Sequence, residues 1–589
     1  MLTQSQFDVL YYLLKDDSSK NQRDIATAIN CSLGKTNELI SDLTKSEYIS
    51  INNKNYLITK KGQKALEHYK VQNAIIMAAG MSSRFAPLSY EKPKGLLKVK
   101  GEILIEREIK QLQAAGITDI TIVVGYLKEM FFYLAEKYNV KIVVNEDYYR
   151  YNNPSTLIRV LDKFSNTYIC SSDNYFVDNV FEPYVYKSYY ATVFTSGKTD
   201  EWCVQEEKNG RIKNVTFGGK NSWYMLGHVY WDKDFSHKFS SILKIEYDNE
   251  TTKDQLWEAL YTKHIKELDL YAKHYDSKKV LEFDSLDELR QFDSEYINNA
   301  DSSILRNICN VLKCEIKDIT GIKAIKAGLT NTSFMFKVGK ETYVYRHPGR
   351  GTENYINRKS ETFSMQIASK LGLDNTFIHM DCDKGWKLSK FVTNARELDY
   401  HNDTEVKQAL QMMKKLHLQK IKSEYDFGLW NKTLDFIDVL KKLGKTDYEG
   451  FDQLFEMMKE VNKKVTSDKY SNNCLCHCDC YSPNFLLNDK NEMFLIDWEY
   501  SGNDDPASDL GTFICCSDYN YEQSLKTIEL YLGYKPEPEE LKHYLGYIAE
   551  ASYYWYVWAI YQETRGNSVG EWLYLWYKNS KLFAEKTLL

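Results

Sequence analysis

A glycine-containing loop followed by two cations is the first feature of this chain that suits a chemical reaction. Residues 74–94 read AIIMAAGMSSRFAPLSYEKPK, an apolar strand that leads into a Gly/Ser/Arg loop and ends at a lysine. A triphosphate requires backbone N–H groups that approach it closely and fixed cations that neutralise the departing pyrophosphate. Arg84 and Lys94 supply the cations. The loop residues predicted to supply the N–H groups are Gly80, Met81, Ser82 and Ser83.

Two carboxylates further along the chain complete a site for nucleotidyl transfer. Asp173 follows the apolar run YICSS, and Asp284 lies in LEFDS after another short apolar run. Nucleotidyl transfer needs Mg²⁺, which proteins hold through one or two carboxylates. Open α/β sheets place such ligands at the C-terminal ends of their strands. Both residues are therefore predicted metal ligands, and a turn cap for Asp173 and a helix N-cap for Asp284 stay open as alternatives.

A second set of polar residues, far downstream, suits phosphoryl transfer. The chain carries HCDCYSPN and, shortly after it, LIDWEY. Phosphoryl transfer depends on positioning and charge neutralisation, so Asp479 is expected to accept the proton of a substrate hydroxyl while Asn484 and Asp497 bind Mg²⁺. His477 is expected to brace the loop. A kinase makes a phosphomonoester and a nucleotidyltransferase uses one, so the two sites suit successive reactions.

The segment before the kinase motif carries candidate nucleotide contacts. GLTNTSF is a polar turn between short β-runs and would cover phosphates with Thr330 and Asn331. TYVYRHPG places Arg346 on the following strand, where kinases generally carry a phosphate-contacting lysine. Glu361 on the next helix is its predicted ion-pair partner, and an ordinary surface pair is the alternative.

A Trp-rich helix near the C-terminus offers aromatic faces. Trp555 and Trp558 are three residues apart, and Tyr577 follows on a later helix. Aromatic faces can attract a cation, but from the residues alone an aromatic stripe at helical spacing is more often core packing. The surrounding residues 544–561 contain many Tyr and Trp, with Glu550 at their middle, so a buried helix is predicted rather than a membrane span.

The composition is that of an ordinary globular protein. At 589 residues, 43% of them hydrophobic and 27% charged, the chain should hold about three or four domains. The net charge of −6 gives no general attraction to nucleic acid or to an anionic membrane. MLTQSQFDVL lacks a signal pattern, and the 12 Cys follow no disulfide framework. We therefore expect a cytoplasmic enzyme with reduced thiols and no membrane partner.

The elements that must position these residues fall into three predicted domains, the first of which is residues 1–70. This segment shows three amphipathic helical stripes and a hairpin pattern from Tyr48 to Thr59, the plan of a winged helix-turn-helix module. Its third helix would enter a major groove. Ten Lys/Arg against eight Asp/Glu give a net charge of +2, which is weak for a DNA binder. Docking or dimerisation is therefore favoured over DNA-linked regulation.

Residues 72–295 show an alternation of strands and helices. AIIMAA, DITIVVG and KIVV are typical apolar strands, with helical patterns at 104–115 and 126–138 between them. Continuous apolar strands between helices predict a Rossmann-like α/β domain with a mostly parallel sheet that is covered on both faces. The stretch from residue 176 to about 240 has no clear period, and a helix is expected at 265–271.

Residues 300–589 predict an α+β domain with two lobes. Short β-runs alternate from Ile322 to Val344, which indicates a small antiparallel lobe, and the remainder is mainly helical. This order is that of a kinase-like domain. The fold class expected for the whole chain is therefore multidomain: a winged helix, a Rossmann-like nucleotidyltransferase domain and a two-lobed kinase-like domain.

Residues 73–292 resemble the bacterial CTP:phosphocholine cytidylyltransferases of the Lic type, within the nucleoside-triphosphate transferases. The likeness is carried by VVGYLKE, NEDYYRYNNPSTL, SSDNY and LEFDSLDEL. The contacts that this resemblance implies are CTP at Ala78, Ala79, Gly80, Met81, Ser82, Ser83, Arg84 and Lys94, its base or ribose near Asn153 and Ser155, and Mg²⁺ at Asp173 and Asp284. Trp202 and Trp257 are candidates for holding the phosphocholine headgroup.

Residues 320–589 resemble the choline kinases of the same type and, more distantly, the aminoglycoside phosphotransferases. The likeness is carried by GLTNTSF, YRHPGRGTENYINRKSE and DWEYSGNDDPASDLG, and Arg346 in place of lysine follows the Lic-type pattern. The contacts implied are ATP at Thr330, Asn331, Arg346 and Glu361, and choline at Trp555, Trp558 and Tyr577.

The function expected from the sequence is that of a bifunctional enzyme. The C-terminal domain would phosphorylate choline with ATP and Mg²⁺ through Asp479. The middle domain would then join phosphocholine to CTP through Lys94 and Arg84, giving CDP-choline and pyrophosphate. Three points stay open: the same chemistry on ethanolamine or an aminophosphonate, a DNA-binding regulator that senses choline metabolites, and assembly as a homo-oligomer.

Overall fold

The computed structural model describes residues 1–15, 20–52, 55–325, 331–349 and 356–589. Within these ranges the chain folds into two compact units. The first comprises Met1–Cys309 with Glu315–Lys317, and the second comprises Asn310–Cys314 with Asp318–Leu589. The predicted nucleotidyl-transfer residues lie in the first unit and the predicted kinase residues in the second.

Residues 1–70 form four helices and one hairpin. They are α1 Gln4–Leu14, α2 Gln22–Ala28, α3 Leu33–Lys45, β1 Ile49–Asn52, β2 Asn55–Ile58 and α4 Lys60–Leu66. Thr3 and Asn21 cap the first two helices, and in each helix the third residue returns a hydrogen bond to the cap backbone. The first three helices and the hairpin lie where the sequence predicts them. Helix α4 is not predicted, because KKGQKAL contains a glycine and no clear apolar period.

An aromatic cluster joins residues 1–70 to the domain that follows them. Tyr69 stacks on Tyr186 with ring centroids 5.3 Å apart, and Phe7 of α1 lies 5.5 Å from the same ring. The Tyr186 hydroxyl donates to the Leu2 carbonyl at 3.1 Å. The segment is therefore part of one compact unit with the nucleotidyl-transfer residues.

The remainder of the first unit is built on a seven-stranded sheet, beside which β4 pairs with β5 and β9 pairs with β13. The strands are β3 Asn73–Ala78, β4 Lys98–Val99, β5 Glu102–Ile103, β6 Ile120–Val124, β7 Lys141–Val144, β8 Thr167–Ser171, β9 Asn174–Phe176, β10 Tyr189–Glu206, β11 Ile212–Trp231, β12 Tyr271–Tyr275 and β13 Val280–Glu282. The α-helices are α5 Leu88–Glu91, α6 Leu104–Ala114, α7 Tyr133–Tyr138, α8 Pro154–Leu157, α9 Lys233–Glu246, α10 Glu250–Asp254, α11 Trp257–Lys263, α12 Leu286–Phe292 and α13 Glu295–Asn298.

This sheet is mixed: four of its six strand pairings are parallel, as the sequence predicts for most of the sheet, and two are antiparallel. Its strand order is β12-β10-β11-β8-β3-β6-β7. Strand β3 pairs in parallel with β6 and β8, and β6 with β7, as the apolar runs predict. Strands β10 and β11 instead form a long antiparallel hairpin, and β11 is antiparallel to β8. Repeated register shifts in this hairpin interrupt the alternation of side chains, which explains the absence of a clear period in its sequence.

The helix predicted at 265–271 is wrong. The residues before Tyr271 form turns, and Tyr271 begins β12, which runs parallel to β10. Leu268 and Leu270 are both fully buried and two residues apart. A spacing of two residues is typical of extended chain that enters a strand. In a short apolar run, however, this pattern cannot be distinguished from one turn of a helix.

The central strand β3 serves two hydrophobic cores. Ala74 and Ile76 lie in one core with Ile109 of α6, whereas Ile75 lies in the other with Phe239 of α9. Alternate residues of a strand point to opposite faces, so a central strand covered on both sides must be apolar throughout. The carboxyl end of β3 is thereby held in place, and the loop that follows it is the predicted triphosphate loop.

The second unit has a small β-rich lobe and a larger helical one, and α14 Ser303–Leu312 precedes it. The strands are β14 Ile319–Ile325, β15 Asn331–Val338, β16 Glu341–Pro348, β17 Phe377–Met380, β18 Lys387–Lys390, β19 Arg396–Glu397, β20 Cys474–Cys476, β21 Phe485–Leu487, β22 Met493–Leu495 and β23 Gly502–Asp504. The helices are α15 Arg358–Lys370, α16 Asp403–His417, α17 Leu429–Lys442, α18 Phe451–Ser467, α19 Pro506–Cys515, α20 Tyr521–Leu532, α21 Pro538–Thr564 and α22 Trp572–Leu588.

The small lobe is an antiparallel sheet of order β14-β15-β16-β18-β17. The two kinase motifs lie instead among short strands of the larger lobe, where β20 pairs with β23 and β21 pairs with β22. HCDCYSPN follows β20, and the aspartate of LIDWEY follows β22. The motifs therefore meet where neighbouring strands end.

The Trp-rich stretch is a buried helix, as predicted. It lies on α21, and Glu550 accepts a hydrogen bond from Asn462 Nδ2 at 2.9 Å. Burial raises the pKa of Glu550 to about 8, so the carboxyl group is largely uncharged at neutral pH. Across the described ranges, no helix combines the length and the hydropathy that crossing a membrane requires.

Candidate active sites

A cavity of about 530 Å³ opens at the carboxyl end of β3. The residues that the resemblance assigns to CTP line its inner wall: Ala78, Ala79, Gly80, Met81, Ser82, Ser83 and Lys94. Ser82 has a left-handed backbone (φ 47°), which turns the chain sharply after the strand. The Arg84 side chain is 81% exposed and lies beside the cavity rather than in its wall. Residues 148–153 also line the cavity.

Lys94 is buried between two carboxylates. Its Nζ lies 2.9 Å from Asp173 Oδ2 and 3.3 Å from Glu282 Oε1. Burial alone disfavours the ammonium, but the two carboxylates outweigh it and raise the pKa of Lys94, so the cation persists at neutral pH. Gly95 permits this arrangement, because a Cβ there would lie 2.8 Å from Ser172 Oγ.

Glu282 is a site residue that the sequence did not predict. Strand β13 pairs with β9, and this register places Glu282 opposite Asn174, the residue after Asp173. Loss of solvation and the charge of Asp173 raise the pKa of Glu282. The available signal was the spacing of Glu282 and Asp284, two acids at i and i+2 where a strand ends.

Asp284 lies at the outer side of the same group. Its Oδ1 is 4.0 Å from Arg84 NH1. Glu201 of β10 joins the group: burial raises the pKa of Glu201, and the charge of Asp284 adds to the increase. Several carboxylates thus share two cations. Carboxylate oxygens are hard donors of the kind that divalent metal ions prefer.

Asn153 and Ser155, the predicted base or ribose contacts, differ in position. Asn153 lines the cavity. Ser155 is fully buried, where its hydroxyl donates to the Asn152 carbonyl at 2.7 Å and accepts from Asn145 Nδ2 at 2.9 Å. Ser155 therefore holds the turn that presents Asn153.

The two Trp proposed for the phosphocholine headgroup are not among the described residues that line the cavity. Trp257 is fully buried and stacks on Tyr190 with ring centroids 5.7 Å apart. Trp202 lies 5.5 Å from Phe217 and packs against the same core. Trp257 is thus a core residue, whereas Trp202 is only partly buried and its role as a headgroup contact stays a prediction.

In the second unit, Asp479 lies at the centre of the kinase motif. Asn484 Nδ2 donates to Asp479 Oδ2 at 2.9 Å, and the Ile496 N–H donates to the Asn484 carbonyl at 2.9 Å, which brings Asp497 beside this turn. Burial and then the charge of Asp497 raise the pKa of Asp479. Asp479 Oδ1 is buried and has no hydrogen-bond partner within the described ranges. An unpaired buried carboxylate oxygen is costly unless a ligand completes it.

Asp509 of α19, which the sequence did not single out, holds this loop. It accepts from the N–H groups of His477 at 2.8 Å and Cys478 at 2.6 Å. His477 braces the loop as predicted: its Nδ1 accepts from the Asp479 N–H at 3.2 Å. Burial lowers the pKa of His477, so the ring is neutral. A residue that holds a distant loop, as Asp509 does, can be found from sequence only when its distant partners are known.

Arg346 forms a buried ion pair rather than a surface one. Its NH2 donates to Glu361 Oε2 at 2.8 Å, and its NH1 lies 2.6 Å from Oε1 as a close charge contact. Burial alone would raise the pKa of Glu361, but Arg346 and Lys387 outweigh it and lower that pKa to about 2. Arg346 NH1 also lies 3.8 Å from Asp497, so the pair borders the catalytic group.

Of the two predicted phosphate-covering residues, Thr330 lies outside the described residues. Asn331 Nδ2 donates to Glu499 Oε2 at 2.9 Å, and its Oδ1 accepts from Arg358 NH2 at 3.0 Å. Arg358 also lies 2.9 Å from Glu361. Asn331 is thus tied into the network around the Arg346 pair.

The predicted aromatic group is present in part. Trp555 and Trp558 are edge to face at 5.2 Å, and Trp576 of α22 stacks on Trp555 at 5.7 Å. Tyr554 touches Trp555 and is close enough to Asp479 for the carboxylate charge to raise its pKa, after burial. Tyr577 instead packs on Tyr556, with ring centroids 5.4 Å apart. Trp576 is the third ring, which the sequence did not single out.

The chain contains two carboxylate-rich sites. One lies at the end of a mixed α/β sheet and the other in a two-lobed kinase fold, which together define a fusion of a nucleotidyltransferase with a small-molecule kinase. Family comparisons agree. The MobA-like NTP transferase domain matches residues 74–226, and choline/ethanolamine kinase matches residues 322–555. The chain therefore has both nucleotidyltransferase and kinase activities.

Individual relatives are similar to parts of this chain. A choline-phosphate cytidylyltransferase of Streptococcus pneumoniae is 34% identical over 37% of this chain and 96% of its own length. A 2-aminoethylphosphonate cytidylyltransferase of Lancefieldella rimae is 36% identical over 38% of this chain and 93% of its own. Protein LicA of Haemophilus influenzae is 23% identical over 41% of this chain and 94% of its own length. The chain belongs to the bacterial cytidylyltransferase family, with a choline/ethanolamine kinase domain fused to it, which confirms the predicted fusion.

Replacing Lys94 tests the first site. Lys94→Met should lower nucleotidyl transfer by at least about 100-fold, because a buried cation at the phosphates is lost and Asp173 and Glu282 are left unpaired. The measurement is the rate of pyrophosphate release from CTP. Lys98→Met, at an exposed position, should keep the wild-type rate, and both variants should keep kinase activity. A loss below tenfold in Lys94→Met would contradict the role.

Replacing Glu361 tests the second site through pH. Glu361→Gln should destabilise the second unit by about 3–5 kcal/mol at pH 7, because Arg346 loses its buried partner. The lowered pKa of Glu361 means that the carboxylate stabilises the fold above about pH 5 and that this contribution disappears as pH falls towards 2. In urea unfolding, the difference in free energy of unfolding between wild type and Glu361→Gln should therefore be smaller at pH 3 than at pH 7. Glu449→Gln, an exposed control, should show no such difference; an advantage of equal size at both pH values would refute the assignment.

Proposed function

We propose that the chain phosphorylates choline with ATP and then joins the phosphocholine to CTP, which gives CDP-choline and pyrophosphate. The observation that carries this proposal is the presence, in one chain, of one site built to make a phosphomonoester and another built to consume one. Three domains would divide the work: residues 1–70, 72–295 and 300–589.

In the kinase site, Asp479 Oδ1 is placed to receive the proton of the choline hydroxyl as that oxygen attacks the γ-phosphorus of ATP. The bond to the departing ADP breaks as the new P–O bond forms. Asn484 and Asp497 would hold Mg²⁺, which supplies charge neutralisation when bound. Arg346 would face the nucleotide phosphates from the small lobe, while Trp555, Trp558 and Trp576 would surround the quaternary ammonium.

In the cytidylyltransferase site, a phosphocholine oxygen would attack the α-phosphorus of CTP in line, and pyrophosphate would leave. Lys94 and Arg84 would stabilise the charge that develops on the phosphates. Asp173, Glu282 and Asp284 would hold Mg²⁺, whose role when bound is to neutralise the two approaching phosphates. No covalent intermediate with the protein is needed.

For residues 1–70 we propose a winged-helix fold with a docking role. The α1 face is already occupied by Tyr186. The exposed α3 face carries Lys35, Glu38, Asp42 and Lys45, whose charges sum to zero. A major-groove helix needs a positive surface, because phosphate contacts supply most of the affinity for DNA. The DNA-regulator alternative therefore has less support than docking.

A pair of aspartate variants separates the two reactions. Asp479→Asn should abolish CDP-choline formation from choline, since the base is lost, and leave its formation from phosphocholine intact. Asp173→Asn should abolish both and leave phosphocholine formation unchanged. The measurement is mass spectrometry of products made with ATP, CTP, Mg²⁺ and choline or phosphocholine. Asp489→Asn is the surface control. Loss of product from phosphocholine in Asp479→Asn would show that the sites are not separate.

A second candidate keeps the chemistry and changes the amine. The 2-aminoethylphosphonate relative favours it, since it is as similar to this chain as the choline-phosphate relative is. A primary ammonium would need a hydrogen-bond acceptor in the pocket as well as aromatic faces, whereas choline depends on the rings alone.

The aromatic rings therefore distinguish the amines. Trp558→Ala should lower kcat/KM for choline by about 10-fold, the effect of one desolvated cation–π contact, and lower that for ethanolamine less. Phosphorylation of both amines is measured side by side. Tyr574→Ala, on an exposed part of α22, serves as the control. A wild-type preference for ethanolamine, with a larger loss for ethanolamine in the variant, would transfer the assignment to the second candidate.

A further inference from the structure

A segment between the two family matches holds the loop that carries Lys94. The family models match residues 74–226 and 322–555, so residues 293–304 lie outside both. These residues contain α13 and the start of α14. We call residues 293–304 the junction segment, because α14 leads on to the kinase domain, and residues 88–100 the lysine loop. Both segments belong to the first unit.

Glu91 of the lysine loop closes the N-terminus of α14. Its Oε1 accepts from the N–H groups of Ser303 at 2.8 Å and Ile304 at 3.3 Å, and from the Ser303 hydroxyl. Its Oε2 accepts from the hydroxyl of Ser302, which itself accepts from the Leu305 N–H at 3.1 Å. The first N–H groups of a helix have no partner within it, and a carboxylate also suits the positive end of the helix dipole. Both oxygens of Glu91 are therefore fixed.

The junction segment also holds the lysine loop on the other side of Lys94. The Tyr296 hydroxyl donates to the Lys98 carbonyl at 2.8 Å. The Lys100 N–H donates to Asp293 Oδ2 at 2.7 Å, and Asp293 is buried. The loop is thus attached both before and after the lysine, so the backbone that carries the Lys94 cation is held in place.

The chain beyond α14 is tied to the same unit. Arg290 of α12 donates from NH2 to the Ile316 carbonyl at 2.8 Å and from Nε to the Tyr296 carbonyl at 3.3 Å. Strand β14, which opens the small lobe of the kinase domain, begins at Ile319. The stretch through which the chain passes to the kinase domain is therefore anchored next to the residues that hold the lysine loop.

The contact of Glu91 with α14 does more than complete a helix. Ser302 already caps α14 through the Leu305 N–H, and water can satisfy the other N–H groups of an exposed helix end. The additional partner comes instead from the loop that bears the buried cation of the site, three residues before Lys94. A displacement of about 1 Å in a catalytic group can lower a rate by about 100-fold. Fixing this loop therefore bears on the reaction.

We propose that Glu91 is a positioning residue for nucleotidyl transfer, which attaches the lysine loop to the N-terminus of α14 and so keeps Lys94 at the phosphates. This inference rests on the proposed role of Lys94 in the reaction. It makes the transferase activity depend on the segment that leads to the kinase domain, which neither family match includes. Without the carboxylate the loop is held on one side only, and Lys94 stabilises the departing pyrophosphate less well.

The test is Glu91→Gln in the full-length chain, which keeps the size of the side chain but loses its charge and one of its acceptor oxygens. The kcat for pyrophosphate release from CTP and phosphocholine should fall about five- to tenfold, while the KM for CTP stays within about twofold of wild type. Choline phosphorylation should be unchanged. Ser303→Ala, which removes one donor to Glu91, should lower kcat about two- to threefold. The double variant should be no slower than Glu91→Gln, because both changes break the same contact.

Asp232→Asn is the matched control. Asp232 caps α9 by accepting from the Phe235 N–H at 2.9 Å, so this change also replaces a carboxylate by an amide at the start of a helix of the first unit. It should leave kcat at the wild-type value, whatever its effect on the free energy of unfolding in urea. A merely structural role for Glu91 would give that same result.

An unchanged kcat in Glu91→Gln, or an equal loss of kcat in Asp232→Asn, would overturn the inference. If Glu91→Gln does not fold, an unchanged kcat in Ser303→Ala would overturn it instead. The wild type separates this inference from the proposed function. A wild-type chain that releases no pyrophosphate from CTP and phosphocholine would refute the proposed function, whereas an active wild type with an equally active Glu91→Gln would refute only the inference.

Discussion

Buried charge is the constraint on which both sites depend. Lys94 is enclosed with Asp173, and Arg346 with Glu361, at distances of 2.9 and 2.6 Å. A charge removed from water is tolerated only with a well-placed partner, and removal of either partner is far more costly than removal of a surface pair. Each cation is therefore held in place before any phosphate arrives, so little reorganisation is required when a nucleotide binds.

In each unit, site residues also come together where strands end. In the first unit the pairing of β9 with β13 sets Glu282 beside the residue that follows Asp173. In the second unit, Cys478 and Asp497 adopt left-handed backbone conformations, with φ values of 66° and 64°. Such conformations are unfavourable for residues other than glycine and persist where the surroundings fix them. The hydrogen bonds that Asp509 accepts from two N–H groups of this loop help to fix the backbone there.

The sequence predicted what depends on local spacing. The apolar strands β3, β6 and β7 and the buried helix α21 follow from patterns within a few residues. What it missed depends on contacts between distant segments. Glu282 becomes a neighbour of Lys94 only through a pairing of two three-residue strands, and Trp576 joins Trp555 only where α22 returns along α21. The β10–β11 hairpin was missed for a different reason, since its register shifts remove the two-residue period on which strand prediction depends.

Charge balance in the cytidylyltransferase site bears on the kind of phosphate that it takes. Four carboxylates, Asp173, Glu201, Glu282 and Asp284, surround two cations, Lys94 and Arg84. One divalent metal ion would bring such a site close to neutrality before the substrates bind. A phosphate ester with an anionic or neutral sugar would gain nothing from a further carboxylate such as Glu201, whereas one with a cationic headgroup would be attracted by it. The electrostatics of the site therefore favour a phosphorylated amine, which agrees with a kinase domain in the same chain that belongs to the choline/ethanolamine class.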